Sequence, residues 1–186
     1  AFPNMTVVQP ADAVSAKVLA HAAVDFTGPL YVRLHRNPVP DVYDPETYQF
    51  VWGKANTVVD YGTDMTMIVS GILLKKALDA AAILKEQGIK VRVLDMATIK
   101  PLDNEAVLKA AKETGAIMTI EDHTIFGGLG SAVAEVVVEH CPVPMQRIGI
   151  QDQFGESGDP ELLYRDHGMD VDSIVAKAKA LVARKG

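Results

Sequence analysis

From Met65 onward, apolar and polar residues alternate in two rhythms. Short apolar runs stand at 65–69, 89–96, 116–120 and 145–150. Between and after them, apolar positions recur three and four residues apart at 73–87, 103–113, 129–140, 161–166 and 171–183. The first rhythm belongs to strands buried on both faces, the second to helices with one apolar stripe. Gly88 and Gly115 stand where helices end in a left-handed residue, and Asp103, after Pro101, is placed to cap a helix N-terminus. Strand–helix units repeated at this spacing predict an α/β fold. Its sheet is mainly parallel, with right-handed crossovers and helices on both faces.

The first 36 residues predict a smaller piece. A strand at 5–8 leads through Pro10-Ala11-Asp12 into a helix at 13–24, with Asp12 in the favourable N-terminal turn. Gly28-Pro29 breaks the helix, and a strand follows at 30–34. This strand–helix–strand fragment cannot close a sheet by itself. From 37 to 64 the periodicity disappears, and Pro38, Pro40, Pro45, three tyrosines and Trp52 gather there. The expected division is a fragment at 1–36, a linker at 37–56 and an α/β domain at 57–186. The aromatics of the linker imply that it packs on a neighbour.

Composition narrows the function classes. Net charge is −6 with no lysine or arginine block, which argues against nucleic-acid binding. No apolar run has the length of a membrane span, and the N-terminus lacks the basic and apolar regions of a signal peptide. Cys141 is the single cysteine, so an intrachain disulfide is excluded, and a reducing, cytoplasmic location is expected.

Four segments carry candidate chemistry. Gly127, Gly128 and Gly130 precede a helix and could offer N–H groups to an anion, although a tight turn with close helix–sheet packing is the preferred reading. Glu121, Asp122 and His123 end a strand. Side-chain alternation keeps them from facing one way, so a polar contact between domains or subunits is preferred over an acid–base group or a metal site. Arg33 and His35 share one strand face and Arg36 lies just beyond. An arginine here either grips a phosphate or carboxylate or pairs with an acid on the surface. The loop 151–160 reads as a connection anchored by Phe154, because Ser157 has no base at nucleophile-elbow spacing.

The motifs and their order are identified as those of the transketolase family. Phe2-Pro3-Asn4-Met5-Thr6-Val7, Pro10-Ala11-Asp12-Ala13 and Gly28-Pro29-Leu30-Tyr31-Val32-Arg33-Leu34-His35-Arg36 resemble the end of its pyrimidine-binding domain. Tyr61-Gly62-Thr63-Asp64, the run from Ile120 to Gly130 and Phe154-Gly155-Glu156-Ser157-Gly158 resemble its C-terminal domain, above all that of the split forms. The resemblance implies a five-stranded sheet and a parent enzyme that moves a two-carbon ketol unit between sugar phosphates. It further implies thiamine diphosphate and Mg as cofactors of the parent, an N-terminal partner in the form of missing domains or a separate subunit, and a homodimer. Arg36 stands at the position that contacts the sugar phosphate, and Ser15 departs from the family's glutamate. The family's Gly-Asp-Gly metal and diphosphate motif is absent, and its catalytic glutamate would precede Phe2. The chain is therefore expected to have no catalytic residues, no bound cofactor and no turnover alone. Other implied readings are a deoxyxylulose-phosphate synthase, a 2-oxoacid dehydrogenase β subunit, or a non-catalytic regulatory module; the 154–158 run favours transketolase. Calorimetric titration of the chain with thiamine diphosphate and magnesium should show no saturable binding; micromolar affinity would contradict the fragment reading.

Overall fold

All five residues of Met65–Val69 are buried, as a strand covered on both faces requires. The computed structural model, which describes residues 2–185, builds the fold around that strand. The elements run β1 (Thr6–Val8), α1 (Ala13–Val24), β2 (Leu30–Val32), β3 (Asn56–Asp60) and β4 (Met65–Val69). A 3-10 turn at Gly71–Leu73 opens α2 (Leu74–Glu86), followed by β5 (Val91–Asp95), β6 (Thr98–Lys100) and α3 (Asn104–Thr114). The chain finishes with β7 (Ile117–Thr124), α4 (Leu129–His140), β8 (Met145–Ile150), α5 (Pro160–Asp166) and α6 (Val171–Ala183). None of the helices among the described residues is long and apolar enough to cross a membrane.

The main sheet has five strands in the order β3-β5-β4-β7-β8. β5, β4, β7 and β8 are mutually parallel, while β3 runs antiparallel on the β5 edge. On one face, Met65, Met67, Val69, Val93, Met118 and Ile120 meet the apolar stripes of α2 and α6. On the other, Ile68, Leu94 and Ile117 meet α3 and α4. Each fully buried large apolar side chain contributes about 1.5–3 kcal/mol, so the two covered faces carry most of the fold's stability. The expected α/β architecture is present. β3 and β6 depart from the expected elements. β3 falls where the sequence has no clean alternation, and its register with β5 shifts between Thr57 and Val59.

A second sheet has the order β2-β1-β6. β1 pairs parallel with β2, and antiparallel with β6, which comes from the 57–186 region. The N-terminal fragment thus completes its sheet with a strand borrowed from the larger unit. Asp12, the N-cap of α1, accepts from Ser15 N at 2.7 Å and Ser15 Oγ at 2.6 Å. Ser15 Oγ in turn accepts from Asp12 N at 3.0 Å, closing a capping box. Ser15 therefore performs locally what a glutamate at this position of the box would do.

Asp12 also ties down the linker. Its other oxygen accepts from Val42 N at 2.7 Å and Tyr43 N at 2.9 Å. The Tyr43 ring lies 4.1 Å from that of Tyr48, and its hydroxyl donates to Asp95 Oδ2 at 2.6 Å. Burial pushes the Asp95 carboxyl up to about 7, against the bond from Tyr43. Its second oxygen has no partner among the described residues. A carboxyl raised above its unfolded value of 3.8 stabilises the fold most below that value. This contribution is lost as pH rises through about 7. Asp95→Asn, which keeps an acceptor for Tyr43, should match the wild type near pH 4 in urea unfolding and exceed it near pH 8. A stability difference that is constant across this range would show that folding does not raise the Asp95 pKa above its unfolded value.

Candidate functional site

The carboxyl ends of β4, β5 and β7 face the N-terminal fragment. Ligand sites of open α/β sheets lie at such ends. β7 runs past Ile120 to Thr124, so Glu121, Asp122 and His123 are strand residues, and alternation sends them to opposite faces.

Asp122 faces the fragment. Its nearly buried carboxylate accepts from Arg33 Nη1 at 2.6 Å and from Gln9 Nε2 at 2.9 Å. The His35 Nε2 atom lies 3.3 Å from its other oxygen and 2.9 Å from Gln9 Nε2. Gly71, at φ +70°, lets the chain pass close to the Gln9 amide, where a Cβ would collide with it. Burial lowers the pKa of His35, Asp122 pulls it up and Arg33 lowers it, with the net direction downward. For Arg33 the acid-pair alternative is the one realised.

Beside this knot lies a cavity of about 400 Å³ between the start of α1 and the segment after β2. Pro10, Asp12, Ala13, His35, Arg36 and Ile72 are among its walls. Arg36 is exposed and forms no ion pair among the described residues. The structure thus brings Arg36 and His35 to one cavity, while Arg33 is spent on the junction.

The glycine turn has a different purpose. Glu121 is fully buried, and Gly130 N donates to its Oε1 at 2.9 Å. A Cβ on Gly130 would come within 2.6 Å of that oxygen and 2.7 Å of Thr119 Oγ1, and one on Gly128 would collide with Glu121 and His123. Burial raises the Glu121 pKa, while His123, the N–H groups of Gly130 and Leu129, and Arg147 oppose the rise. The N-terminus of α4 is filled by the protein's own carboxylate, leaving no room for an outside anion. Among the described residues no group of three or more His, Cys, Asp or Glu could hold a metal ion. Phe154 does not anchor its loop: it is 98% exposed, and Asp159 holds the loop's end instead by capping α5 through Glu161 N and Leu162 N. A Cβ on the flanking Gly155 would meet nothing within 4 Å, so the turn beside Phe154 borders open space.

The family model for the transketolase C-terminal domain matches residues 53–174. The chain belongs to that family. It is 45% identical over 183 residues to an apulose-4-phosphate transketolase subunit of Phocaeicola vulgatus, covering 98% of this chain and 58% of the relative. It is 41% identical over 184 residues to a 6-deoxy-6-sulfo-D-fructose transketolase subunit of a Clostridium species, covering 99% and 56%. A solved structure described as a split-gene transketolase, inactive β4 tetramer, superposes with a TM-score of 0.94 at 40% identity, covering 100% of this chain and 60% of that one. The chain therefore spans a little over half the length of these relatives. Gln9, Arg33, His35 and Arg36 all precede the matched segment. The transketolase C-terminal domain contributes Asp122 to the junction and Ile72 to the cavity.

Sequence reasoning named Arg36 as a candidate but missed two polar networks, Gln9 with Asp122 and His35, and Asp12 with Tyr43 and Asp95. The isolated Gln9 beside Pro10 carried no signal of its own. Asp122 was legible only as part of an acid pair.

Proposed function

We propose that the chain is the C-terminal part of a transketolase that transfers a two-carbon ketol unit between sugar phosphates, and that Arg36 holds the substrate's remote phosphate. The observation that carries this is the position of Arg36 on the wall of the 400 Å³ cavity, without a carboxylate partner among the described residues. A guanidinium suits a phosphate because its planar fork donates two parallel hydrogen bonds. The names of the two relatives point the same way: one acts on a phosphorylated sugar, the other on a sugar with a sulfo group. Both substrates carry a tetrahedral anion.

In the complete enzyme thiamine diphosphate, held with Mg, supplies the carbanion chemistry. The residues of this chain do not fit that cofactor. The helix N-terminus behind the glycine turn is closed by Glu121, and the sequence holds no Gly-Asp-Gly segment. The cofactor accordingly belongs to an N-terminal partner, either a separate subunit or the rest of a longer chain, and this part is inactive alone. The names of the relatives, which are those of subunits, and the inactive tetramer of the structural neighbour support both points. A cytoplasmic location accords with the single Cys141.

Among the described residues β2 ends the smaller sheet with an unpaired edge, and Tyr31 and Leu34 are exposed on and beside it. Unpaired edges and exposed apolar side chains seek partners. Light scattering of the isolated chain should therefore report a homodimer or a multiple of it, and a strict monomer at high concentration would remove the assembly part of this reading. In the complete enzyme carrying this sequence, Arg36→Ala should lower kcat/KM for phosphorylated acceptors roughly 10- to 100-fold, the equivalent of about 1.5–3 kcal/mol from a charge-assisted bond. Matched acceptors without phosphate should lose far less, because they never use the contact. Remote binding energy also positions the reacting end, so kcat should fall along with affinity. Equal losses for both acceptor classes would make Arg36 structural.

A further inference from the structure

His35 is wedged between the polar junction and the cavity, with its side chain 16% exposed. Its Nε2 lies 2.9 Å from Gln9 Nε2, 3.3 Å from Arg33 Nη1 and 3.3 Å from Asp122 Oδ2. The identity of the Gln9 atom is fixed by its other neighbour. The same atom sits 2.9 Å from Asp122 Oδ1, where an amide oxygen would face a carboxylate. It must be the NH2 group, with one hydrogen directed to Asp122 and the other to His35 Nε2. Arg33 can only donate as well. The Gln9 donor, at 2.9 Å, is nearer to Nε2 than the Asp122 oxygen at 3.3 Å, and Arg33 adds a second donor, so that nitrogen carries the lone pair. The proton of the neutral ring then resides on Nδ1.

Nδ1 bonds to no described residue and is not among the buried polar atoms left without a partner. His35 lines the cavity together with Arg36. We propose that His35 is a specificity-determining residue of this cavity: its Nδ1–H, fixed by Gln9, stands beside Arg36 as a neutral donor to the phosphate monoester at the remote end of the substrate. The proposal rests on the reading that Arg36 grips that phosphate. The two groups divide the task. Arg36 supplies charge, which attracts an anion from any direction. His35 adds a donor whose direction and tautomer are set before the ligand arrives, so no reorganisation is needed on binding. A tetrahedral phosphate offers oxygens to both at once.

The test uses the two ends of the imidazole. An asparagine amide reaches about as far as Nδ1, and a glutamine amide about as far as Nε2. In the complete enzyme, H35A and H35Q should raise KM for a phosphorylated acceptor roughly tenfold or more, with a smaller effect on the matched acceptor without phosphate. H35N should restore most of that loss. If H35Q restores and H35N does not, His35 only braces Asp122, and the proposal is overturned. The same holds if both acceptor classes lose equally. R36A run in parallel separates the two readings. A selective loss in R36A with no selective loss in H35A sinks the His35 proposal alone, whereas no selective loss in R36A sinks the Arg36 reading beneath it. Nitrogen-15 NMR of the wild-type chain gives an answer independent of activity and of the folding of variants: Nδ1 should be protonated and Nε2 not. The opposite tautomer overturns the proposal.

Discussion

The Asp122 carboxylate is the contact on which the arrangement of the two pieces depends. It lies at the end of a core strand, is nearly excluded from water, and accepts from Arg33 and Gln9 at once. Breaking a buried pair costs about 3–5 kcal/mol because it strands a charge, whereas the intact pair adds little net stability over an apolar replacement. Its value is therefore positional. A charge that must find its partners fixes where β1 and β2 end, and so where the residues after β2 emerge. His35 and Arg36 reach one cavity because Arg33, two and three positions earlier, is held.

Asp12 and Asp95 extend the same logic to the linker. Backbone N–H groups at 42 and 43 have no strand or helix to satisfy them, and Asp12 accepts both. Tyr43 then reaches Asp95 across the end of β5. The linker is thus a strap pinned at two carboxylates, which accounts for its aromatic and proline content better than flexibility would. The second carboxylate is the weaker pin at high pH, because a buried group with one unpartnered oxygen is costly to ionise.

The core was legible from the sequence because burial on both faces leaves a plain record: runs such as Met65–Val69 have no other explanation in a chain of this polarity. β6 was not legible. It has three residues with one apolar side chain, and its strand form comes from β1 rather than from its own pattern. The junction was hidden for a related reason. Asp122 lies 89 residues from Arg33 and 113 from Gln9, and no local rule links positions so far apart. The glycines of the 127–130 turn were visible as a turn, but the buried carboxylate they accommodate was not. The transketolase resemblance was legible because it rests on local runs of residues.

Two helix N-termini could have served as anion sites, and both are closed from within. Asp12 caps α1, whose first turn borders the cavity, and Glu121 fills the start of α4. A helix N-terminus attracts negative charge whatever its origin, and a built-in carboxylate occupies it permanently. It also adds a negative charge beside the place where an outside anion would come. An anion entering the cavity next to Asp12 must therefore be held by side chains that outweigh that charge. In the proposed reading Arg36 provides the positive charge, and a neutral His35 adds a directed bond without placing a second cation next to Arg33, which Asp122 already needs. Placement of charge, rather than its amount, decides what this end of the sheet can bind.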